Sequence, residues 1–176
     1  FPGYAPSVAG SNARRNWATY LDLEGDVTDR FTLGVAGRFE DFSDFGNTFT
    51  WKVSSRFEIT DAIAVRASVN TGFRAPTPGQ SNIADVATNI DLTTGGLLLT
   101  ATRPPDDPIS LFYGARPLEP EESFNVSGGL VFRWGDGYLL TVDYFNIEVD
   151  DRIALTSRIP VTAADRAAML AQGIDP

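Results

Sequence analysis

Residues 48–59 read TFTWKVSSRFEI, and the alternation within them decides the fold. On an extended chain Phe49, Trp51, Val53, Ser55, Phe57 and Ile59 point one way, and Thr48, Thr50, Lys52, Ser54, Arg56 and Glu58 point the other. One face is aromatic and aliphatic; the other is charged or hydroxylated. The run is about twice the usual strand of about 5–6 residues, and it reaches the roughly 9–11 residues with which a tilted strand crosses a bilayer. Length and alternation together favour the wall of a barrel over a sheet in a sandwich.

The same pattern extends on both sides. Upstream, residues 14–26 and 31–41 alternate, with Phe31, Leu33, Val35, Gly37 and Phe39 opposing Thr32, Gly34, Ala36, Arg38 and Glu40. Downstream, 63–73, 123–134 and 138–149 do likewise, which gives six long strands. The turns between them are short at 27–30, 60–62 and 135–137, where Gly135-Asp136-Gly137 is a tight-turn signal. In the last strand the phase slips near Phe145, after which Phe145, Ile147 and Val149 become the apolar set, and either a bulge or a strand that has left the bilayer for a loop is expected there. Residues 152–159 are expected to begin a returning strand.

Residues 75–122 differ. Pro76, Pro78, Pro104, Pro105, Pro108, Pro117 and Pro120 remove ladder donors, so this stretch is read as one long loop, with 97–102 as a short strand or hairpin inside it. Near the end, Thr162 followed by Asp165 and an Ala-rich run predicts a loop helix over about 162–172, closed by Gly173. Brief turns on one side and long loops on the other are the habit of outer-membrane barrels. The expected fold is therefore all-β: antiparallel transmembrane strands forming part of a barrel, with long outer loops and one short loop helix.

Composition narrows the function. The chain has 176 residues, a net charge of −9, and neither cysteine nor histidine. The acidic balance speaks against nucleic acid, whose phosphates need clustered Lys and Arg. His-based triads, thiol nucleophiles and His-ligated zinc are excluded, so a non-enzyme without cofactor is expected. The loop carboxylates Asp85, Asp91, Asp106, Asp107, Glu119, Glu121 and Glu122, and Glu148, Asp150 and Asp151 beyond, match no hard-cation loop pattern. They read as solvated, and no metal site is expected. Phe1 is not an initiator Met and no leader pattern follows it, so the sequence is expected to start inside a longer chain.

Several stretches resemble TonB-dependent outer-membrane receptors. Residues 66–76 (RASVNTGFRAP) are similar to that family's strand-to-loop junction, and 42–58 (FSDFGNTFTWKVSSRFE) to the hairpin before it. Residues 118–123 (LEPEES) resemble the family's L-x-P-E-x-S lead-in to the next strand, 141–153 (TVDYFNIEVDDRI) the strand that follows, and 161–174 a short outer-loop helix. The likeness runs from about residue 17 to 174. It implies a portion of a barrel of the roughly 22-stranded, plugged type, lodged in the bacterial outer membrane, serving active uptake of an iron–siderophore, vitamin or glycan. The plug domain and the segment that contacts TonB are not among these residues.

On that reading Arg38, Glu40, Lys52, Arg56, Arg66, Asn70 and Arg74 face the lumen and the plug, because charges on a lipid face cost roughly 2–4 kcal/mol at the midplane. Trp51, Phe57, Trp134, Tyr138 and Tyr144 are the candidates for interfacial belts. The loop 75–122 is the candidate ligand site, since exposed loops on a rigid scaffold usually carry recognition. Partners implied are outer-membrane lipid, the plug, the TonB system indirectly, and a small-molecule or glycan ligand. Two other classes remain open at this point: a soluble β-sandwich binding module, and a porin-like or adhesive barrel without energy coupling.

Overall fold

The computed structural model describes residues 10–90 and 95–175. Six strands, β1 (Asn16–Thr28), β2 (Phe31–Phe42), β3 (Gly46–Thr60), β4 (Ile63–Arg74), β7 (Glu121–Trp134) and β8 (Tyr138–Asp150), form one antiparallel sheet in the order β1-β2-β3-β4-β7-β8. Between β4 and β7 lie helix α1 (Pro78–Asn82), a separate hairpin of β5 (Asp85–Ile90) and β6 (Leu97–Thr102), and helix α2 (Pro108–Phe112); helix α3 (Ala163–Ala171) follows β8. The chain divides into a sheet unit, Arg14–Ala75 with Pro120–Arg152, and a loop unit that includes Pro76–Glu119 and Ile153–Pro176.

The sheet unit has almost no core. Ala64 and Val131 are its only buried apolar side chains among the described residues, while Leu21, Leu23, Val35, Val53, Phe57, Leu140 and Val142 stand exposed. A soluble protein does not leave an apolar face of that extent to water. The second sheet that a sandwich needs is represented among the described residues only by the two strands β5 and β6.

Three expectations are corrected. The phase change at Phe145 is not a bulge: β7 and β8 pair without interruption from Trp134↔Tyr138 to Glu122↔Asp150, because backbone groups make the ladder whichever kind of side chain each face carries. Residues 152–159 form no strand. The stretch 75–122 is structured rather than plain loop, and Glu121 and Glu122 already belong to β7. The ladder does shift at Asp26/Thr28 and Glu58/Thr60, beside the short turns. Asp91 lies outside the described residues.

In the loop unit, each helix starts where the sequence supplies a cap. Thr77 accepts from the Gln80 amide with Pro78 behind it, and Asp107 accepts from the Ile109 amide with Pro108 behind it. Thr162 and Asp165 form a capping box on α3: the Asp165 carboxylate accepts from the Thr162 amide at 2.8 Å and from its hydroxyl at 2.7 Å. Those two donors, and the Tyr113 phenol beside them, hold the Asp165 carboxyl below the ordinary carboxylate range. The buried Tyr113 hydroxyl has no well-formed hydrogen bond, and burial, with Asp165 alongside, pushes its pKa up.

A depressed carboxyl pKa contributes stability that is present above its unfolded value and lost as pH falls through the folded one. The α3 cap is therefore expected to persist at neutral pH and to open only below about pH 4. Amide exchange across 163–171 followed against pH checks this. Asp165→Asn should abolish the acid limb, and an unchanged acid limb would assign it to another group.

Candidate functional site

Successive ladders place one set of side chains on a common face. Arg38 pairs in register with Thr50 and Tyr20, Glu40 with Thr48 and Ala18, and Lys52 with Ala36 and Asn70. Arg56 stands opposite Arg66, Asn70 opposite Asn125, and Arg74 opposite Glu121. All seven polar candidates therefore share one face of the sheet, hereafter the inner face.

The four arginines of this set are paired. Arg38 meets Glu40, Arg56 meets Glu58 at 2.8 Å, Arg74 meets Glu121 at 2.8 Å, and Arg66 holds Asp143 through both carboxylate oxygens at 2.6–2.9 Å. Arg56 and Arg66 are direct cross-strand partners, an arrangement that repels. Each guanidinium turns to its own carboxylate instead, Arg56 along β3 and Arg66 across β7 to β8. Between the ion pairs run neutral contacts, Asn125 Nδ2 to Asn70 Oδ1 at 2.9 Å and Ser68 to Ser127 at 3.2 Å. Lys52 makes no ion pair among the described residues. It borders a shallow hollow of about 530 Å³ with Tyr20, Asp22, Arg38, Thr50 and Asn70. A second hollow of about 540 Å³, nearer the short turns, gathers Glu24, Asp26, Asp29 and Glu58 around Arg30 and Arg56.

The Arg66–Asp143 bridge spans three strands because the middle one carries Gly129. A Cβ there would run into the Asp143 carboxylate and the Arg66 guanidinium. Gly129→Ala is expected to push Asp143 aside and release the bridge. Unfolding midpoints of Gly129→Ala, Asp143→Asn and the double variant should then show non-additivity, with the double no worse than the poorer single. Full additivity would mean that the bridge contributes nothing.

On the opposite, outer face the rings meet in pairs: Trp17 with Phe39 at 5.4 Å, Phe31 with Phe57 at 6.4 Å, and Trp134 stacked on Tyr138 at 5.8 Å across the 135–137 turn. Trp51 is half-buried and lies level with Gly37, and Tyr144 stands 69% exposed at the middle of β8. So Phe57, Trp134 and Tyr138 sit near strand ends, whereas Trp51 and Tyr144 do not.

The loop candidate 75–122 has its own layout. In the β5–β6 hairpin, Val86, Thr88, Ile90, Leu97, Leu99 and Ala101 share one face by register, all of them exposed, and the other face carries the Asn89–Thr100 hydrogen bond of 3.1 Å. Asp107 is occupied as the α2 cap and as partner of Arg103 at 3.1 Å. Among the described residues no three metal-binding side chains come together.

Asp143, Ser127 and Asn125 belong to the inner face although sequence reasoning did not name them as lumen candidates, and Glu121, read there as a solvated loop carboxylate, joins them. The Gly135-Asp136-Gly137 turn, which sets Trp134 against Tyr138, carries the register that puts Asp143 beside Gly129. The link from Gly129 to Arg66 crosses the long loop and has no local signal.

A family model described as TonB dependent receptor-like, beta-barrel, matches residues 1–174. The chain is 25% identical over 137 residues to the iron-regulated outer membrane virulence protein of Vibrio cholerae, covering 78% of this chain and 18% of that protein. Over 90 residues it is 30% identical to the vitamin B12 transporter BtuB of Vibrio vulnificus, 51% of this chain and 14% of that one. The siderophore receptor PirA of Pseudomonas aeruginosa superposes with a TM-score of 0.64 at 21% identity, over 86% of this chain and 27% of its own. A variant of the ferric enterobactin receptor PfeA from the same organism gives 0.61 at 18%, over 84% and 20%. The chain thus spans less than a fifth of the length of the curated relatives it matches.

Proposed function

Because the chain belongs to the family of TonB-dependent receptor β-barrels, a family of bacterial outer-membrane transporters and not of enzymes, we propose that it forms one sector of the wall of a receptor importing a ferric siderophore. The observation that carries the reading is the two-faced single sheet: an outer face left apolar and exposed across its strands, and an inner face of matched ion pairs. Lipid suits the first and a hydrated lumen the second. Arg38, Glu40, Lys52, Arg56, Arg66, Asn70 and Arg74 then line that lumen, where the plug sits. Phe57, Trp134 and Tyr138 belong to the interfacial belt on the short-turn side.

The strands 16–74 and 121–150 build wall, and the stretch 75–122 takes part in ligand recognition. Uptake depends on the plug and, through it, on TonB; neither lies in these strands. A siderophore is favoured by the iron-regulated relative and the siderophore-receptor neighbours. Vitamin uptake is the second reading, on the likeness to BtuB.

Titration of the full-length receptor with a panel of ferric siderophores and with cobalamin tests this. Saturable binding of a ferric chelate, lost when 76–119 is replaced by a short turn while the barrel stays heat-modifiable on gels, supports it. Cobalamin binding alone would replace the ligand. Binding of neither, with TonB-independent diffusion of small solutes, would make the protein a porin.

A further inference from the structure

The phase change in β8 left one feature unexplained: why Tyr144, Asn146, Glu148 and Asp150 face outward while Phe145, Ile147 and Val149 face inward. The ladders supply an answer. On the outer face, five strands carry a last aromatic ring toward the long-loop side: Trp17 on β1, Phe39 on β2, Phe49 on β3, Phe124 on β7 and Tyr144 on β8; on β4 the Phe73 ring instead meets Phe42 edge-on at 5.9 Å. One pleat further out the same face turns polar on all five: Arg15, Asp41, Asn47, Glu122 and Asn146. Trp17 even donates its indole N–H to Asp41 at 3.1 Å, the habit of a ring lying where apolar and wet surroundings meet.

This line is not level in the ladder. Trp17 pairs with Asp41, two positions beyond Phe39; Phe39 pairs with Phe49. Phe49 stands three residues past Lys52, and Thr71 one residue past Asn70, the partner of Lys52. Phe124 pairs with Thr71 and so lies two positions short of Phe49, and Tyr144 pairs with Gly128, four short of Phe124. The drift has one sign throughout. Strands about 4.8 Å apart, tilted by roughly 35–45°, require a plane across them to slip by about 1–1.5 residues per strand. The short-turn side drifts the same way: Phe31 and Phe57 are level, Phe132 lies two positions beyond the partner of Val65, and Trp134, the partner of Tyr138, two beyond Phe132. Phe49 to Phe57 covers eight residues, which at that tilt spans about 20 Å, close to the roughly 25 Å lipid band of such barrels.

We propose that the outer surface of the bilayer crosses β8 between Tyr144 and Asn146, so that residues 145–150 rise clear of lipid as a wall wetted on its outer side. Tyr144 thereby joins the outer aromatic belt despite its place at mid-strand, since the belt follows the tilt and not the ladder. Val142 and Leu140 below it touch acyl chains; Asn146 and Glu148 touch water and head groups. The inward trio Phe145, Ile147 and Val149 lies wholly above that line. The inference rests on the outer-membrane reading and adds to it where the membrane ends.

These residues contain no cysteine, so, with any cysteine elsewhere in the full-length receptor replaced by serine, Val142→Cys, Tyr144→Cys, Asn146→Cys and Glu148→Cys can each carry a nitroxide in that receptor, reconstituted in phosphatidylethanolamine–phosphatidylglycerol bilayers. Collision rates with oxygen, which partitions into lipid, and with a water-soluble nickel chelate locate each label. The expected result is oxygen dominance at 142, near balance at 144, and an inverted ratio at 146 and 148. Oxygen dominance persisting at 146 and 148 would overturn the boundary while leaving the barrel in the membrane. Nickel dominance already at 142 would remove the outer-membrane reading itself, and the boundary with it.

Discussion

Val53→Arg is expected to destabilise the full-length receptor by roughly 2–4 kcal/mol in a bilayer, the cost of a cation on the lipid face near the midplane. Val53 pairs with Val35 halfway between Phe49 and Phe57, and both side chains are about 40% exposed on the outer face. No long-stemmed escape to the head groups is short at that level. Ala36→Arg, one residue along β2 at the same height but on the inner face, stands between Asp22 and Lys52 beside the first hollow. Its cost should stay within about 0.5 kcal/mol, as for an ordinary surface change. Denaturant titration of folding into lipid vesicles measures both. Equal costs would mean that the two faces meet the same solvent, and the assignment of inside and outside would fail.

Met169→Ala is expected to remove about 2–5 kcal/mol from the loop unit, the range for deleting a buried Met side chain. Met169 is fully buried, the only such apolar side chain of α3, and its carbonyl also accepts from the Ile174 amide beyond the helix end. A nine-residue helix has little stability of its own, so the anchor matters more than it would in a large core. Hydrogen exchange should show amides 163–171 losing protection while those of β1–β4 keep theirs. Protection retained at α3 would show that the surrounding side chains close over the smaller residue.

Much of the wall was legible because a barrel strand carries its pattern locally. The faces of residues 31–41 and 48–59 follow from alternation alone, and short turns such as 135–137 announce themselves through glycine; Gly135 and Gly137 both adopt positive φ, at 56° and 108°. What stayed hidden was relational. Thr77-Pro78 and Asp107-Pro108 are cap-and-start signals for α1 and α2, yet within a proline-rich stretch they read merely as sheet-breaking. The phase slip at Phe145 suits a bulge and an exit from the bilayer equally, because both leave the same trace in a one-dimensional pattern. The partners of Arg66 and Arg74, namely Asp143 and Glu121, depend on a register set across β4 and β7, which no local signal fixes.

That β4–β7 seam has a consequence for how such a protein changes over time. The ladder runs unbroken from Ile63↔Phe132 to Arg74↔Glu121, so the two ends of the long excursion leave and rejoin the sheet as bonded neighbours. Entropy charges little for what lies between, about 0.6 kcal/mol for each doubling of length. The wall therefore works as a fixed socket, and the residues between Arg74 and Glu121 as a cassette. Insertions, deletions and wholesale exchanges there can be sampled by mutation without misaligning a single strand, which lets this stretch diverge quickly over a scaffold that hardly moves.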